Sequence, residues 1–278
     1  MDLTLLTAPD PAIRARLVAM IDRYNDDATD RREPVQHLTI PLRDAAGDVE
    51  GGLVGISYYD WMIVEMLFVP VGLRGHGIGA RLMRAAEAIA RDRGCTGIWL
   101  DTGSPDARKF YARLGYSEFA TLPDQPAGYP RHFLMRTTLR PGDTAGLEVH
   151  AARLPEAAAI IARELNAVGA ALMGDPKRET LAILAGESGG LWMRTNRDWL
   201  FLDLLILDGE ARRSGTGTRI LAMAESAARA RNCTGIWLDT YGFQAPSFYR
   251  RRGYTEIGTL PNYPTPHARH FLAKRFAG

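Results

Sequence analysis

The eight-residue string CTGIWLDT occurs twice in this chain, at positions 95–102 and 233–240. Residues 60–136 align without a gap with residues 198–274, and about 35 of these 77 positions are identical. Shared composition does not produce such identity, so the chain contains an internal repeat. The period of 138 residues is domain-sized and far longer than a solenoid unit. The sequence therefore predicts two tandem domains, 1–140 and 146–278, joined by the Pro/Gly-containing linker RPGDTAG.

Each half shows the same order of predicted elements. A strand at 3–7 or 147–152 leads to a helix at 11–25 or 155–171. Two strands follow, and then an apolar strand, a glycine-rich turn, a helix, the GIWLDT strand, a short helix and a last strand containing RHFL. The apolar strands WMIVEMLFV and WLFLDLLIL are apolar on both faces, which indicates a central place in a covered sheet. The predicted fold class is mixed α/β.

Composition excludes several classes of function. A net charge of +2 without a basic stripe gives no reason to expect a nucleic-acid partner. The apolar segments are short and each contains a carboxylate, so no membrane span is predicted. The first residues lack the pattern of a signal peptide, and the two cysteines, at matching repeat positions, indicate core residues and no metal cluster. We expect a cytoplasmic protein without a metal, and its oligomeric state is left open.

The glycine-rich turns read RGHGIG at 74–79 and RRSGTG at 212–217, and both fit R-x-x-G-x-G between a strand and a helix. Glycines allow a ligand to approach the backbone, and a helix N-terminus favours phosphate. The alternative for a single copy is a tight turn that needs positive φ. Gly75-x-Gly77-x-x-Ala80 also fits a dinucleotide fingerprint, but Arg213 replaces its first glycine in the second half. The pattern present in both halves is therefore R-x-x-G-x-G.

Each half contains an apolar strand, then the glycine turn, then the segment FYARLGY or FYRRRGY. This order of motifs, present twice, resembles the GNAT superfamily of N-acetyltransferases. The resemblance covers essentially the whole chain. It implies two tandem GNAT-like domains, each a mixed, mostly antiparallel sheet flanked by helices, and acetyl-CoA as cofactor. It further implies that the turn holds the pyrophosphate and that the preceding strand lines the pantetheine. The cofactor residues implied are Leu67, Phe68, Val69, Arg74, Gly75, His76, Gly77, Ile78, Gly79 and Ala80, and Leu205, Ile206, Leu207, Arg212, Arg213, Ser214, Gly215, Thr216, Gly217 and Thr218.

Two pairs of residues are candidates for catalysis. The resemblance places Tyr111 and Tyr249 near the thiol, and a phenol with a pKa near 10 is suited to protonate a leaving thiolate. The alternative is an aromatic core contact. Glu65 and Asp203 stand inside apolar strands, where an unpaired carboxylate is costly, and we interpret them as general bases or as ligands of a cationic amine. The alternative for them is a salt bridge to an arginine.

Two further pairs are candidates for substrate binding. Asp101 and Asp239 end the GIWLDT strands, where ligands gather in open α/β sheets, and an acidic cleft would suit a positively charged amine. His132 and His270 lie in the RHFL segments, and an imidazole of pKa near 6.5 suits a base. The alternative for each histidine is an ordinary hydrogen-bonded strand residue.

These residues predict an acetyl-CoA-dependent N-acetyltransferase that acts on the primary amine of a small molecule, by direct attack on the thioester. The alternatives are a CoA-binding protein without turnover, acting as a sensor or scaffold, and a nicotinamide-dependent oxidoreductase. Both halves keep the arginine, two glycines, the tyrosine and the acid, so the sequence does not identify an inactive half. The acceptor amine is also left open, because the halves diverge in their early helices and loops.

Overall fold

A computed structural model describes residues 2–276 as two sheets with six helices. The strands are β1 (Thr4–Thr7), β2 (Gln36–Arg43), β3 (Val49–Tyr58), β4 (Trp61–Phe68), β5 (Gly97–Thr102), β6 (Ser117–Leu122), β7 (Arg131–Arg136), β8 (Thr180–Leu184), β9 (Gly189–Asn196), β10 (Trp199–Leu207), β11 (Gly235–Tyr241), β12 (Thr255–Leu260) and β13 (Arg269–Arg275). The helices are α1 (Pro11–Thr29), α2 (Ile78–Asp92), α3 (Pro105–Arg113), α4 (Pro155–Met173), α5 (Thr216–Arg229) and α6 (Pro246–Arg250). Within this part of the chain, no helix combines the length and apolar character that crossing a bilayer requires.

The predicted fold class is confirmed. The first sheet has the order β2-β3-β4-β5-β7-β6, and the second has the order β1-β8-β9-β10-β11-β13-β12. In each sheet one central pair is parallel, β4 with β5 and β10 with β11, and the other pairs are antiparallel. Both central strands are largely buried, as their apolar sequences predict. Each half is thus a mixed, mostly antiparallel sheet flanked by helices.

The two halves exchange their first elements. Strand β1 pairs antiparallel with β8, and α1 packs on the second sheet, where Leu17 is fully buried against Trp192 and Leu204. Burial of such a leucine contributes roughly 1.5–3 kcal/mol to stability. Reciprocally, α4 places Ala158 and Ile161 against the first sheet. The division into 1–140 and 146–278 stays a prediction about the repeat unit, while each sheet is completed by a helix from the other unit.

The predicted strand at 147–152 is wrong. A turn at Ala145 and Gly146 precedes it, and the following chain forms a single β-bridge with an edge strand of the first sheet. There His150 and Thr39 of β2 each donate an N–H to the carbonyl of the other at 2.9 Å. Because only one bridge forms, no strand develops, although this contact also joins the second unit to the first sheet.

The sheets face each other across an aromatic core with approximate two-fold symmetry. Trp61 Nε1 donates to the carbonyl of Asn262 at 3.0 Å, and Trp199 Nε1 donates to the carbonyl of Asp124 at 2.7 Å. All four residues obey the 138-residue spacing. Near this symmetry axis, a Cβ on Gly258 would lie 2.4 Å from the carbonyl oxygen of Phe119, so only glycine allows β6 and β12 to approach this closely.

The two cysteines are buried, free and in equivalent places, as the repeat predicts. Cys95 belongs to the core beneath α2 and Cys233 to the core beneath α5. Burial raises the pKa of both thiols to about 11, so both are protonated and unreactive at neutral pH.

Candidate active site

A cleft opens in each sheet where the parallel pair of strands separates. Strand β10 pairs with β11 only from Trp199 to Leu202, and its register with β9 shifts between Leu202 and Leu204. Strand β4 likewise pairs with β5 only as far as Ile63 and carries a bulge two residues later. The extra residue of a bulge bends its strand away from its neighbour. Each bulge therefore leaves the next strand segment with free backbone groups that face the cleft.

The glycine turns have the same backbone conformation in both halves. Gly75 and Gly77 have φ of +82° and +78°, and Arg213 and Gly215 have φ of +62° and +84°. The second half thus holds an arginine in the left-handed region at the position of Gly75, which costs roughly 1–2 kcal/mol. Retention of the turn geometry despite that cost indicates that the backbone path itself is needed.

The arginine that both turns share folds back onto the end of the preceding strand. Arg74 Nε donates to the carbonyl of Val69 at 2.9 Å, and Arg212 Nε donates to the carbonyl of Leu207 at 2.8 Å. The guanidinium of Arg212 also stacks 4.4 Å from the ring centroid of Tyr24, a residue of α1. These contacts place a cation beside the N-terminus of α2 or α5.

The turns fit the phosphates of acetyl-CoA. A Cβ built on Gly75, Gly77 or Gly215 would meet no atom within 4 Å, so the backbone at these positions is open to a ligand. Gly77 and Gly215 are the N-caps of α2 and α5 and offer no side chain to the first N–H groups, of which the Thr216 N–H of α5 donates to Ser214 Oγ at 3.3 Å. Free N–H groups, the helix dipole and an adjacent arginine together suit a pyrophosphate.

The second half contains a cavity of about 800 Å³ that joins the turn to the strand ends. At one end it is lined by Gly215 and Gly217 of the turn, and at the other by Asp239 and Tyr241 at the end of β11. Strand residues 202–207 form its floor. The α1 face completes the wall with Arg14, Val18, Ile21, Asp22, Tyr24 and Asn25.

A polar network fixes α1 against this cleft. Asn25 is almost fully buried, and its Oδ1 accepts a hydrogen bond from Gln244 Nε2 at 2.8 Å. Gln244 Oε1 in turn accepts from Thr240 Oγ1 and from the Tyr241 N–H, both at 3.0 Å. Because these bonds join α1 to the end of β11, the helix of the first unit forms a fixed wall of the second site.

The catalytic tyrosine candidates are buried in both halves. Tyr249 lines the 800 Å³ cavity, and Tyr111 lies in the equivalent core of the first half. Burial, and to a lesser degree the carboxylates Asp239 and Asp101, raises the pKa of both phenols above the ordinary value of 10. Each tyrosine therefore keeps its proton at neutral pH, as a general acid requires. Their assignment as catalytic groups stays a prediction.

Glu65 and Asp203 occupy the two bulges, and each is paired with an arginine from the other unit. Asp203 Oδ2 accepts from Arg14 Nη2 at 3.0 Å and from its Nε at 3.2 Å, and Glu65 Oε2 accepts from Arg153 at 2.5 Å. The expectation that these carboxylates are buried is wrong, because their side chains are 19% and 32% exposed. Bulge geometry turns them out of the core. Their role as bases stays a prediction, and the salt-bridge alternative is present in both halves.

Asp101 and Asp239 lie at the cleft, as their strand-end position predicts, and both are paired. Asp239 contacts Arg269 at 2.6 Å, and Asp101 contacts Arg131 at 2.5 Å. Arg269 is enclosed by Trp99, Tyr241 and Tyr263 as well as by its aspartate. These carboxylates therefore border the cleft with their charge already neutralised by an arginine.

The two histidines face away from the cavities. His132 Nδ1 lies 2.9 Å from Glu118, and His270 Nδ1 lies 3.0 Å from Glu256. Neither belongs to the walls of the cavity in its own half. His270 Nδ1 is hydrogen-bonded to Glu256, which matches the strand residue that the sequence offered as the alternative, whereas His132 Nδ1 lies near Glu118 without hydrogen-bond geometry. A substrate role of either histidine stays a prediction.

The first half has a smaller cavity at its strand ends. It measures about 250 Å³ and includes Asp101 and Arg131, but none of the residues of the glycine turn at 74–79 lines it. Leu165, Asn166, Gly169 and Met173 of α4 form one wall. The two cavities thus differ, because only the cavity of the second half joins the strand ends to a glycine turn.

Sequence reasoning missed the α1 residues of the second cleft. Arg14, Asp22 and Tyr24 were assigned to the first unit, and nothing in their local pattern indicates which sheet they meet. One signal was available, because Asn25 aligns with Asn166 of the second unit and both line a cavity. Gln244 and Arg269 were missed for the same reason, since their partners come from distant segments.

Comparison with known proteins agrees with this architecture. The sequence profile described as Acetyltransferase (GNAT) family matches residues 10–116 and again 142–254. Acetyltransferase Atu2258 of Agrobacterium fabrum is 40% identical over 114 residues, which are 41% of this chain and 79% of that protein. Blasticidin-S acetyltransferase of Streptomyces morookaense is 43% identical over 91 residues, 32% of this chain and 67% of that protein. The crystal structure of an acetyltransferase from Agrobacterium tumefaciens is 33% identical, covers 49% of this chain and 98% of its own, and has a TM-score of 0.47.

The family profile matches twice and covers most of the chain, and the positions of both matches agree with the internal repeat. The oxidoreductase alternative is therefore set aside. The cofactor expected from the two glycine turns is the one that this family uses. The chain belongs to the GNAT family of acetyltransferases, contains its domain twice in tandem, and takes acetyl-CoA as its cofactor.

Proposed function

We propose that the second half holds the catalytic site and that it transfers an acetyl group to the primary amine of a small cationic molecule. The observation that supports this most is the continuity of the 800 Å³ cavity from Gly215 past Tyr249 to Asp239. A transfer reaction gains a large part of its rate when donor and acceptor are held together in one space. The 250 Å³ cavity of the first half lacks that continuity.

Arginines and carboxylates both line the second cavity, and two of the carboxylates, Asp203 and Asp239, are paired with Arg14 and Arg269. Arg212, Arg213, Arg251 and Arg252 line it toward the turn and suit the phosphates of the cofactor. The carboxylates lie toward the other end, where Asp22 makes no ion pair within residues 2–276. Partial burial, together with Asp26, raises the pKa of Asp22. An unpaired carboxylate at this rim attracts an ammonium group, which supports a cationic acceptor.

Asp203 is suited to contact the amine itself. Both hydrogen bonds from Arg14 go to Oδ2, so Oδ1 keeps its acceptor capacity toward the cavity. The carboxylate lies at the bulge where β10 and β11 separate. We assign Asp203 to orient the amine and accept its proton, directly or through water, and Tyr249 to hold the proton given to the leaving sulfur. Acetyl-CoA supplies the thioester carbonyl that the amine attacks.

The relatives indicate where to search for the acceptor. Blasticidin-S acetyltransferase and the streptothricin acetyltransferase of Streptomyces lavendulae are both named for antibiotic substrates. We propose an acceptor of that kind, a small molecule with an amine and further positive charge. The test measures CoA release with blasticidin S, streptothricin, polyamines, amino acids and peptides, with mass spectrometry of each product. Binding of acetyl-CoA without release for any amine would favour the alternative of a CoA-binding protein without turnover.

A matched pair of variants tests the cationic end. Asp22→Asn removes the unpaired carboxylate, and Asp27→Asn makes the same charge change on the exposed side of α1. We expect Asp22→Asn to raise the KM for the amine by roughly five- to fiftyfold, because a charge-assisted contact is lost, with the KM for acetyl-CoA unchanged. Equal kinetics for the two variants would contradict the role of Asp22.

A further inference from the structure

The 250 Å³ cavity of the first half is walled by arginines. Arg131, Arg178 and Arg197 line it together with a single carboxylate, Asp101. Only Arg131 is paired with Asp101, and Arg178 makes no ion pair within residues 2–276. We call this the arginine pocket. Three guanidinium groups against one carboxylate leave the pocket with an excess of positive charge.

The arginines act on one another. Partial burial, followed by Arg194 and Arg131, lowers the pKa of Arg178, and burial followed by Arg178 lowers the pKa of Arg197. Asp198 and Asp175 offset part of this effect at Arg197 but lie outside the pocket lining. Like charges that line one cavity repel one another, and an anion bound between them would relieve that repulsion.

A buried amide without a partner also lines the pocket. Gln125 is only 5% exposed, and neither its Nε2 nor its Oε1 has a hydrogen-bond partner within the protein. The buried Nε atoms of Arg131 and Arg197 are likewise unpartnered. Buried polar groups in native proteins are satisfied in the great majority of cases, so unpartnered donors that line one cavity indicate a missing acceptor.

The repeat supplies a comparison for each wall position. Beside Arg269, the equivalent of Arg131, Tyr59, Tyr263 and Tyr241 stand at the positions that Arg197, Gln125 and Gly103 hold beside Arg131. There the three tyrosines pack edge-on, and two of them cover Arg269, which is largely buried and paired with Asp239. The three equivalent positions beside Arg131 hold a cation, an amide and a residue without a side chain in place of the rings. Its arginine at position 131 consequently borders an open space.

We propose that the arginine pocket binds the oxyanion of a small molecule, a phosphate or a carboxylate group, between Arg131, Arg178, Arg197 and the amide of Gln125. Guanidinium groups recognise both anions by paired N–H donors, and 250 Å³ admits one such group with a small body attached. This site is separate from the proposed catalytic cleft and does not depend on which half performs acetyl transfer.

The test is a thermal-shift and calorimetric titration of the full chain in saturating CoA, so that the glycine turns are already occupied by phosphates. Sodium phosphate and sodium malonate are the two probes, and sodium chloride at equal ionic strength is the reference. We expect at least one probe to raise the melting temperature above the reference, and the probe that succeeds identifies the group. No shift with either probe would overturn the proposal.

Arg178→Gln is the informative variant, because Arg178 lies at the exposed mouth of the pocket. It makes no ion pair within residues 2–276, so its substitution removes no ion pair from the folded protein. Arg163→Gln, which removes an exposed arginine from the outer face of α4, is the matched control. We expect Arg178→Gln to weaken anion binding at least tenfold, as loss of a charge-assisted contact requires, while Arg163→Gln binds like the wild type. Equal weakening in both variants would show a general charge effect and overturn the site.

The variant Gln125→Leu provides a second test of the site that leaves all of its arginines unchanged. Removal of an unpartnered buried amide is expected to raise the melting temperature of the anion-free protein by a few degrees and to reduce its response to the anion. A structural role for Gln125 predicts the opposite, a lower melting temperature with an unchanged anion response, and that result would contradict the proposal.

Discussion

The two bulge carboxylates provide an internal control that separates catalysis from structure. Asp203→Asn and Glu65→Gln each remove one negative charge from an equivalent position, and each breaks one ion pair with an arginine of the other unit. Because Arg14 and Arg153 are 47% and 41% exposed, solvent screens both pairs. An ion pair of this kind contributes at most about 1 kcal/mol. We therefore expect both variants to melt roughly 1–4 °C below the wild type.

Turnover should distinguish the two variants. If Asp203 contacts the amine, its amide loses a charge-assisted hydrogen bond of about 1.5–3 kcal/mol, which corresponds to a fall in kcat/KM of roughly 10- to 150-fold. Glu65→Gln should keep the wild-type rate per folded molecule, because the strand-end cavity of its half is not lined by the glycine turn. The loss at Asp203 should shrink as the pH approaches the pKa of the amine, near 10, because free amine then needs no base.

The assay is CoA release as a function of pH, normalised to folded protein, beside thermal melts of both variants. Parallel pH–rate profiles for Asp203→Asn and the wild type, with both variants equally destabilised, would refute the catalytic role and leave a structural salt bridge. A rate loss in Glu65→Gln alone would refute the assignment of catalysis to the second half.

Three further expectations follow from the geometry. Tyr249→Phe should lower kcat by about ten- to ten-thousandfold with acetyl-CoA affinity nearly unchanged, whereas Tyr111→Phe should leave kcat intact. Full activity of Tyr249→Phe in steady-state assays would exclude Tyr249 as the general acid. Calorimetry should find two acetyl-CoA sites per chain, one removed by Arg74→Glu and the other by Arg212→Glu, and a single site in the wild type would contradict this. Arg43, and after it His150, lowers the pKa of the Glu148 carboxyl to about 2, so these contacts stabilise the fold above the ordinary value of 4.5 and are lost as the pH falls from 4.5 to 2. In urea titrations the midpoint of Glu148→Gln should therefore approach that of the wild type across this range, and a constant difference would exclude the pairing.

Much of the cofactor site could be predicted from local patterns. An apolar strand, a turn with two glycines and a helix start are encoded by adjacent residues, and the repeat showed which of them are needed twice. The positive φ of Gly77 and Gly215 and the burial of Tyr111 and Tyr249 agree with those patterns. Such features depend on backbone sterics and on periodicity, which act over a few residues.

The carboxylates show the limit of that reasoning. The apolar sequence around Glu65 and Asp203 predicts burial, and the bulge that turns them outward arises from pairing with neighbouring strands. Their arginine partners lie 88 and 189 residues away. No local pattern indicates such contacts.

By itself the sequence determined the number of units, the elements of each unit and both glycine turns, because these follow from periodicity, turn chemistry and the repeat. Only the tertiary structure decided which sheet receives β1 and α1. Two sheets of one repeat offer alike edges and alike apolar faces, so the pattern of α1 matches either of them equally. The choice depends on specific long-range contacts, such as Asn25 with Gln244 and Leu17 with Trp192. That exchange gives the second half a cleft walled by α1 and the first half an arginine pocket walled by α4.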